Sequence, residues 1–402
     1  MEKRVQMSDA RRPKIGLVVL SFIAFIALGM PDGLLGVAWP SIRASFSLPL
    51  DAVGFLLLAS VAGYLTSSFL SGPLITRLGV GKILAASCAL TGAGLIGYTL
   101  VPFWWMMVTL GVLAGLGAGA IDSGLNAYAA AHFSEGLMQW LHASYGIGVT
   151  LGPFLMTTAL TVLHSWRVGY GIVGIFQLVL AAAFVMTLPV WHHRGAQADV
   201  TKPKRLTDYR TPLSETVRHP GAWLSMALFF LYTGGEVVLG TWTYTLFVES
   251  RGISPEMAGL ATGSYWGTFT VGRIVAGLIA RRVGVNLLVT GGLVAALLGS
   301  LLLWWNPANA TNLIAVAWTG FAIAPLFPAL MSGTGQRVGI HFAANTIGMQ
   351  MAAGSLGVAI IPSLVGILAR RVSLEAIPVS LVLLFVGLIV LQKLALKHGA
   401  KP

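Results

Sequence analysis

From Ile15 to Trp39 the chain reads IGLVVLSFIAFIALGMPDGLLGVAW, with Asp32 its single charged side chain. A run of about 20 apolar residues is long enough to cross a bilayer as a helix. In that solvent every backbone polar group has to be bonded within its own segment. Such runs recur near 15–39, 53–75, 83–102, 104–131, 138–163, 168–190, 222–247, 256–280, 286–305, 310–332, 343–369 and 375–395. The expected fold class is an all-α polytopic membrane protein with 12 transmembrane helices. Charged residues make up only 9% of the chain, against about 25% in soluble domains, so lipid is the main solvent. The single cysteine, Cys88, excludes a disulfide framework, and the dispersed glycines fit close helix packing in a membrane.

One connector is long and polar, WHHRGAQADVTKPKRLTDYRTPLSETVRHP at 191–220. It divides the chain into an N-terminal six-helix bundle (1–190), a cytoplasmic linker loop (191–220) and a C-terminal six-helix bundle (221–402). The halves repeat each other. GPLITRLGV at 72–80 matches GLIARRVGV at 277–285, pairing Gly72 with Gly277, Arg77 with Arg282 and Gly79 with Gly284 at an offset of 205. At an offset of 204, Asp32 falls on Glu236 and Gly36 on Gly240. These matches imply duplication and two pseudo-symmetric bundles related by an axis along the membrane normal. In that arrangement a solute site lies between them near the midplane.

The net charge of +12 raises the question of nucleic acid, but its placement argues against it. With the N-terminus in the cytoplasm, 19 of the 25 Lys and Arg fall inside, five fall outside, and Arg273 lies within a span. That is the positive-inside bias, and contact of the same loops with anionic lipid is compatible with it. Both termini are therefore expected in the cytoplasm. The first run is too long for a signal peptide and lacks a small-residue cleavage site, so it reads as a retained span. TGAGLIG has dinucleotide-fold glycine spacing (Gly92, Gly94, Gly97) but lies mid-helix with no strand before it, and the motif fails without that context. Gly111, Gly115 and Gly119 form a small-residue packing face.

The duplicated halves, the long central loop and the loop G-x-[LI]-[IA]-x-R-x-G resemble the major facilitator superfamily over the whole chain. GAGAIDSGLNAYAA (117–130), LHASYGIGVTLGP (141–153), YTGGEVVLGTW (232–242) and SYWGTFTVGR (264–273) resemble its fucose–proton symporter branch. The resemblance implies transport by alternating access, a bacterial inner-membrane location, and gate loops containing Gly72, Arg77, Gly79, Gly277, Arg282 and Gly284. The family usually has an aspartate before the loop arginine. Here Thr76 and Arg281 stand in those places, so the gate is expected to rely on other contacts.

Three acids lie inside the expected spans: Asp32, Asp122 and Glu236. Intramembrane carboxylates mark proton relays or solute ligands by default; the alternative is a structural carboxylate locking two helices. Asn126 stands four residues after Asp122 on the same helix face, an edge suited to hydroxyls or to interhelical hydrogen bonding. Asp32 follows Pro31, so a helix bend beside it is either gating hardware or a passive kink. The resembled branch places coupling acids in its first and fourth helices, the places of Asp32 and Asp122. A sugar presents C–H faces to aromatics and hydroxyls to amides and acids, so Tyr145, Trp242, Trp266, Asn345 and Gln350 are candidate solute-binding residues, with His142 beside them. Trp39 and Tyr244 read either as further solute-site candidates or as residues of the aromatic belt at the membrane interface, and Trp104, Trp105, Trp304 and Trp305 read as belt residues. Arg273 reads either as an anion ligand or, preferred, as a structural arginine near the gate.

No metal-ligand spacing, phosphate loop or nucleophile elbow is present, so no enzyme activity and no cofactor are expected, and an ion gradient is the expected energy source. The leading expectation is proton-coupled symport of a small polar solute, a monosaccharide, by a monomer; sodium also fits carboxylates and amides. The alternatives are a proton-coupled antiporter exporting drugs or metabolites and a non-transporting sensor or scaffold.

Overall fold

The computed structural model describes residues 15–133, 135–191 and 211–398. Most of the polar connector, and part of the basic residues used for orientation, lie outside the described residues. The described chain is helical, with no strand among these residues. The first six long helices are α1 (Ile15–Phe46), α2 (Val53–Leu78), α3 (Val80–Leu100), α4 (Trp104–His132), α5 (Glu135–Thr161) and α6 (Trp166–Trp191). A six-residue helix, α7 (Leu213–Arg218), occupies the end of the connector. The second set is α8 (Pro220–Thr245), α9 (Pro255–Val283), α10 (Val285–Trp305), α11 (Asn309–Ile323), α12 (Leu326–Ser332), α13 (Thr334–Val338), α14 (Ile340–Arg371) and α15 (Ala376–His398). The tenth expected span is thus broken at Ala324–Pro325 into α11 and α12, where proline removes a backbone donor.

Ten of the described helical segments are long and apolar enough to cross a membrane. Of the twelve expected spans, α5 and α9 are the two outside that set. They pack against each other where the two bundles meet. Their extra polarity is tolerable on the faces that meet protein and the interior, while Leu151 and Leu278 remain exposed on their outer faces. Large apolar side chains such as Met186, Leu278 and Leu100 point outward, as a lipid-facing surface requires. Trp105, Trp304 and Trp305 are exposed at helix ends. Trp104 departs from the belt reading: it is buried against Trp39 and Phe46. Trp39 is also buried, its Nε1 donating to the Leu50 carbonyl at 2.9 Å.

The repeat seen in the sequence is also a repeat of backbone geometry. Gly79 ends α2 at φ 82°, ψ 154°, and its match Gly284 ends α9 at φ 80°, ψ 150°. Side-chain-bearing residues are essentially excluded there. Gly36 and Gly240, the other matched pair, touch across the pseudo-symmetry axis: a Cβ on Gly36 would stand 2.0 Å from the Gly240 carbonyl oxygen. The first helices of the two bundles therefore cross backbone to backbone.

We call the face where α1 begins and α15 ends proximal, and the opposite face distal. Distally the bundles are joined. Arg43 at the end of α1 meets Glu249 just beyond α8 at 2.8 Å, and Arg370 at the end of α14 meets Asp51 before α2 at 3.2 Å. Each bundle contributes one cation and one anion. Exposed pairs of this kind are worth about 0.2–1 kcal/mol each, weak enough to break in a conformational cycle. From the distal face, α5 and α9 stay in contact down to Gly146 and Thr270.

Within the C-terminal bundle, buried Arg251 donates to Glu375, to Asn312 and to the Leu303 carbonyl. Glu375 lies outside the membrane-spanning segments. Its hydrogen bond from Arg251 holds its carboxyl below the usual range, outweighing partial burial.

Three expectations follow. Gly284→Ala meets no neighbour within 4 Å, so it should cost about 1–3 kcal/mol through backbone strain alone. Gly277→Ala, equally open but helical, should be neutral, and thermal unfolding in detergent compares the two. Gly36→Ala should hold the distal face apart, seen as faster maleimide labelling of a cysteine placed at Ser250. Glu375→Gln should lower the unfolding temperature at neutral pH. A carboxyl depressed in the folded state stabilises above its unfolded value, so the deficit should fade as pH falls below about 4.

Candidate functional site

Below the Gly36–Gly240 crossing the bundles separate, and a hollow lies between them. Asp32 and Glu236 each stand four residues, about one helical turn, on the proximal side of a crossing glycine. α1 sits directly on α5, the backbone of Gly29 and Gly33 meeting that of Tyr145 and Val149. This contact brings the Tyr145 hydroxyl to Asp32, where it donates to Oδ2 at 2.6 Å. Pro31 does not interrupt α1, which runs unbroken from Ile15 to Phe46. Asp32 remains exposed although it is far from either end of that helix.

Asp122 is the best-partnered acid. The Tyr64 hydroxyl donates to Oδ2 at 2.5 Å, and Asn126 Nδ2 donates to Oδ1 at 2.8 Å. Tyr64 reaches it because α2 and α4 pack along the small-residue face: a Cβ on Gly115 would meet the Ser60 carbonyl, and one on Gly119 the Tyr64 carbonyl. His142 on α5 is exposed, its ring edge-on to Phe25 at 5.7 Å, and acts electrostatically on Asp122. Asp122, Tyr64 and Ser123 line an open cavity of about 680 Å³, whose opposite wall is α14 at Gly348, Met351, Ala352 and Ser355. Apart from Tyr64 near the middle of α2, these are residues of the proximal halves of their helices, so the hollow opens toward the proximal face.

The C-terminal bundle contributes Glu236 and Arg273. Glu236 is half-buried, with the Tyr265 hydroxyl donating to its backbone carbonyl at 2.7 Å and Tyr232 close by. Of the two readings of Arg273, its surroundings favour the anion ligand over the gate residue. It lies ten residues before the end of α9, half-buried, with its guanidinium 4.4 Å from the Phe269 ring centre. It acts electrostatically on Glu236 and on His142 of the opposite bundle. It therefore belongs to the hollow.

Three candidate solute ligands are turned away from it. Trp242 is fully buried, donating Nε1 to the Pro362 carbonyl at 3.0 Å with its ring against Gly366. Asn345 donates to Thr211 and Thr216, pinning the connector's end to α14. Gln350 is fully buried and accepts from Thr334 at 3.0 Å, in the seam beside buried Arg337. Trp266 is 6% exposed and packs on Gly240 beside the crossing. Of the gate residues, Gly79 and Gly284 make the tight turns, Gly72 and Gly277 sit in open space, and Arg77 and Arg282 belong to the turns' flanks. The side chains of Thr76 and Arg281 lie outside the described residues. The sequence did not single out Tyr64, which reaches Asp122 from α2, 58 residues away in the chain, or Tyr232, which stands one helical turn before Glu236 on α8 and was signalled by that spacing.

The sequence profile of the Major Facilitator Superfamily matches residues 18–362. The human sodium-dependent glucose transporter 1 is 22% identical over 389 residues, covering 87% of this chain and 72% of that protein. The Bacillus subtilis glucose/mannose transporter GlcP is 20% identical, covering 87% of each chain. Among solved structures, the nucleoside transporter NupG, solved as a point mutant, superposes with a TM-score of 0.75 at 11% identity, covering 96% of this chain and all of the other. Two six-helix bundles crossing at repeated glycines, and a profile match over most of the length, lead to one conclusion: the chain belongs to the Major Facilitator Superfamily.

Proposed function

We propose that this membrane transporter carries a monosaccharide-sized, hydroxylated solute together with protons, by symport with alternating access. One observation carries the reading: two intramembrane acids of one bundle, Asp32 and Asp122, each hold a tyrosine hydroxyl within 2.6 Å beside a hollow closed at one face and open at the other. An acid in such a place binds or releases a proton in step with which face is open. When Asp122 takes a proton it becomes a donor as well as an acceptor, and its bonds to Tyr64 and Asn126 rearrange. Asn126 and Tyr145 then offer amide and hydroxyl groups to a solute. The glucose transporters among the relatives support a sugar as cargo.

The distribution of basic residues supports a cytoplasmic proximal face. In that orientation this conformation is inward-facing, and release occurs past Asp122. The weak distal ion pairs suit a gate that must open once per cycle.

Asp122→Asn should abolish accumulation of D-glucose driven by an inward proton gradient in proteoliposomes, while leaving counterflow exchange. Accumulation equal to wild type would remove Asp122 from coupling. Solute leaving against an inward proton gradient would replace symport with antiport.

A further inference from the structure

Arg273 sits inside the hollow without a carboxylate bound to it; its polar neighbour is the neutral hydroxyl of Tyr232. Its guanidinium lies over the Phe269 face, and its buried Nε has no hydrogen-bond acceptor. Among the described residues no carboxylate oxygen lies within 4 Å of it; the ion pairs are Arg43–Glu249, Arg251–Glu375 and Arg370–Asp51. Yet Glu236 is near enough to feel its charge. An isolated cation at this depth is costly unless an anion compensates it. An arginine also presents a planar fork of donors that matches a carboxylate in two parallel hydrogen bonds. Here that fork is held by an aromatic face rather than consumed by an acid.

We propose that Arg273 anchors a carboxylate on the transported solute, with Glu236 and that carboxylate alternating as its counter-ion. This rests on the hollow being the solute site. With Glu236 ionised, its charge compensates Arg273. When a proton neutralises Glu236, Arg273 is left uncompensated and the solute anion takes over. One proton and one anion enter together, and the pair carries no net charge. The other groups around Glu236 are Asp32 on α1, Tyr145 on α5, Tyr232 on α8 and Tyr265 on α9; His142 faces Arg273 from α5. Asp32 adds a second negative charge near Glu236. A sugar acid satisfies both ends of the hollow: its carboxylate on Arg273, its hydroxyls toward Asp122 and Asn126.

The test is titration calorimetry on the full-length protein in nanodiscs with D-glucuronate and D-glucose, which differ only at the exocyclic carbon, a carboxylate in one and a hydroxymethyl group in the other. Measurements at about pH 6 and about pH 8, in buffers of different ionisation heat, count protons. Wild type should bind D-glucuronate at least about tenfold more tightly than D-glucose at the lower pH, with proton uptake. Arg273→Gln should erase that preference, and Arg273→Lys should keep part of it. Should Arg273→Gln not fold, Glu236→Gln decides alone: it should bind D-glucuronate with no pH dependence. D-glucose bound and transported as well as D-glucuronate, or a Glu236→Gln variant with unchanged pH dependence, would overturn the anchor and leave sugar transport standing. If neither compound bound or moved in proteoliposomes, the transport reading would fall with it.

Discussion

The structure turns on one contact, the meeting of two peptide backbones at Gly36 and Gly240. No side chain fits between them, so the first helices of the two bundles reach a separation that only glycine allows. That crossing seals the distal end of the hollow. It also sets the depth of Asp32 and Glu236, one turn away on either side of the axis. Without it the two acids, one in each bundle, would have no shared space to control.

The distal seal has two parts of different character. The glycine crossing and the α5–α9 packing are short-range and steric. They act only in the closed arrangement and disappear as soon as the helices separate. The Arg43–Glu249 and Arg370–Asp51 pairs are longer-ranged and weak. They guide the bundles together, and because they are partly exposed they lose little to desolvation when broken. A gate built this way is specific in its closed geometry and still easy to open, as alternating access demands.

Polar groups inside the hollow follow a second rule: each acid of the N-terminal bundle is matched to a neutral donor rather than a cation. Asp32 has Tyr145, and Asp122 has Tyr64 and Asn126. A hydroxyl can donate to an ionised carboxylate and accept from a protonated one, so both charge states keep a partner. A tight ion pair would favour only the ionised state. Arg273 stays outside this pattern, over Phe269 and near Glu236, and this separates the C-terminal side of the hollow from the acid-rich N-terminal side.

Much of this was legible in the residues alone. Hydrophobic runs determined the spans because lipid penalises unpaired backbone and charge regardless of context. The 204- and 205-residue offsets determined the two-fold plan, and the matched glycines at 79 and 284 share a backbone conformation that local geometry demands. The three acids stood out for the same energetic reason as the spans. Tertiary structure alone decided which polar and aromatic residues share the hollow. Trp242, Asn345 and Gln350 look the same in sequence as Tyr145, yet rotation of their helices turns them into seams. Arg273 turns the other way, into the hollow. Periodicity specifies a helix's faces but not what each face meets, because that depends on neighbours far away in the chain. Those neighbours are set by packing of the whole chain.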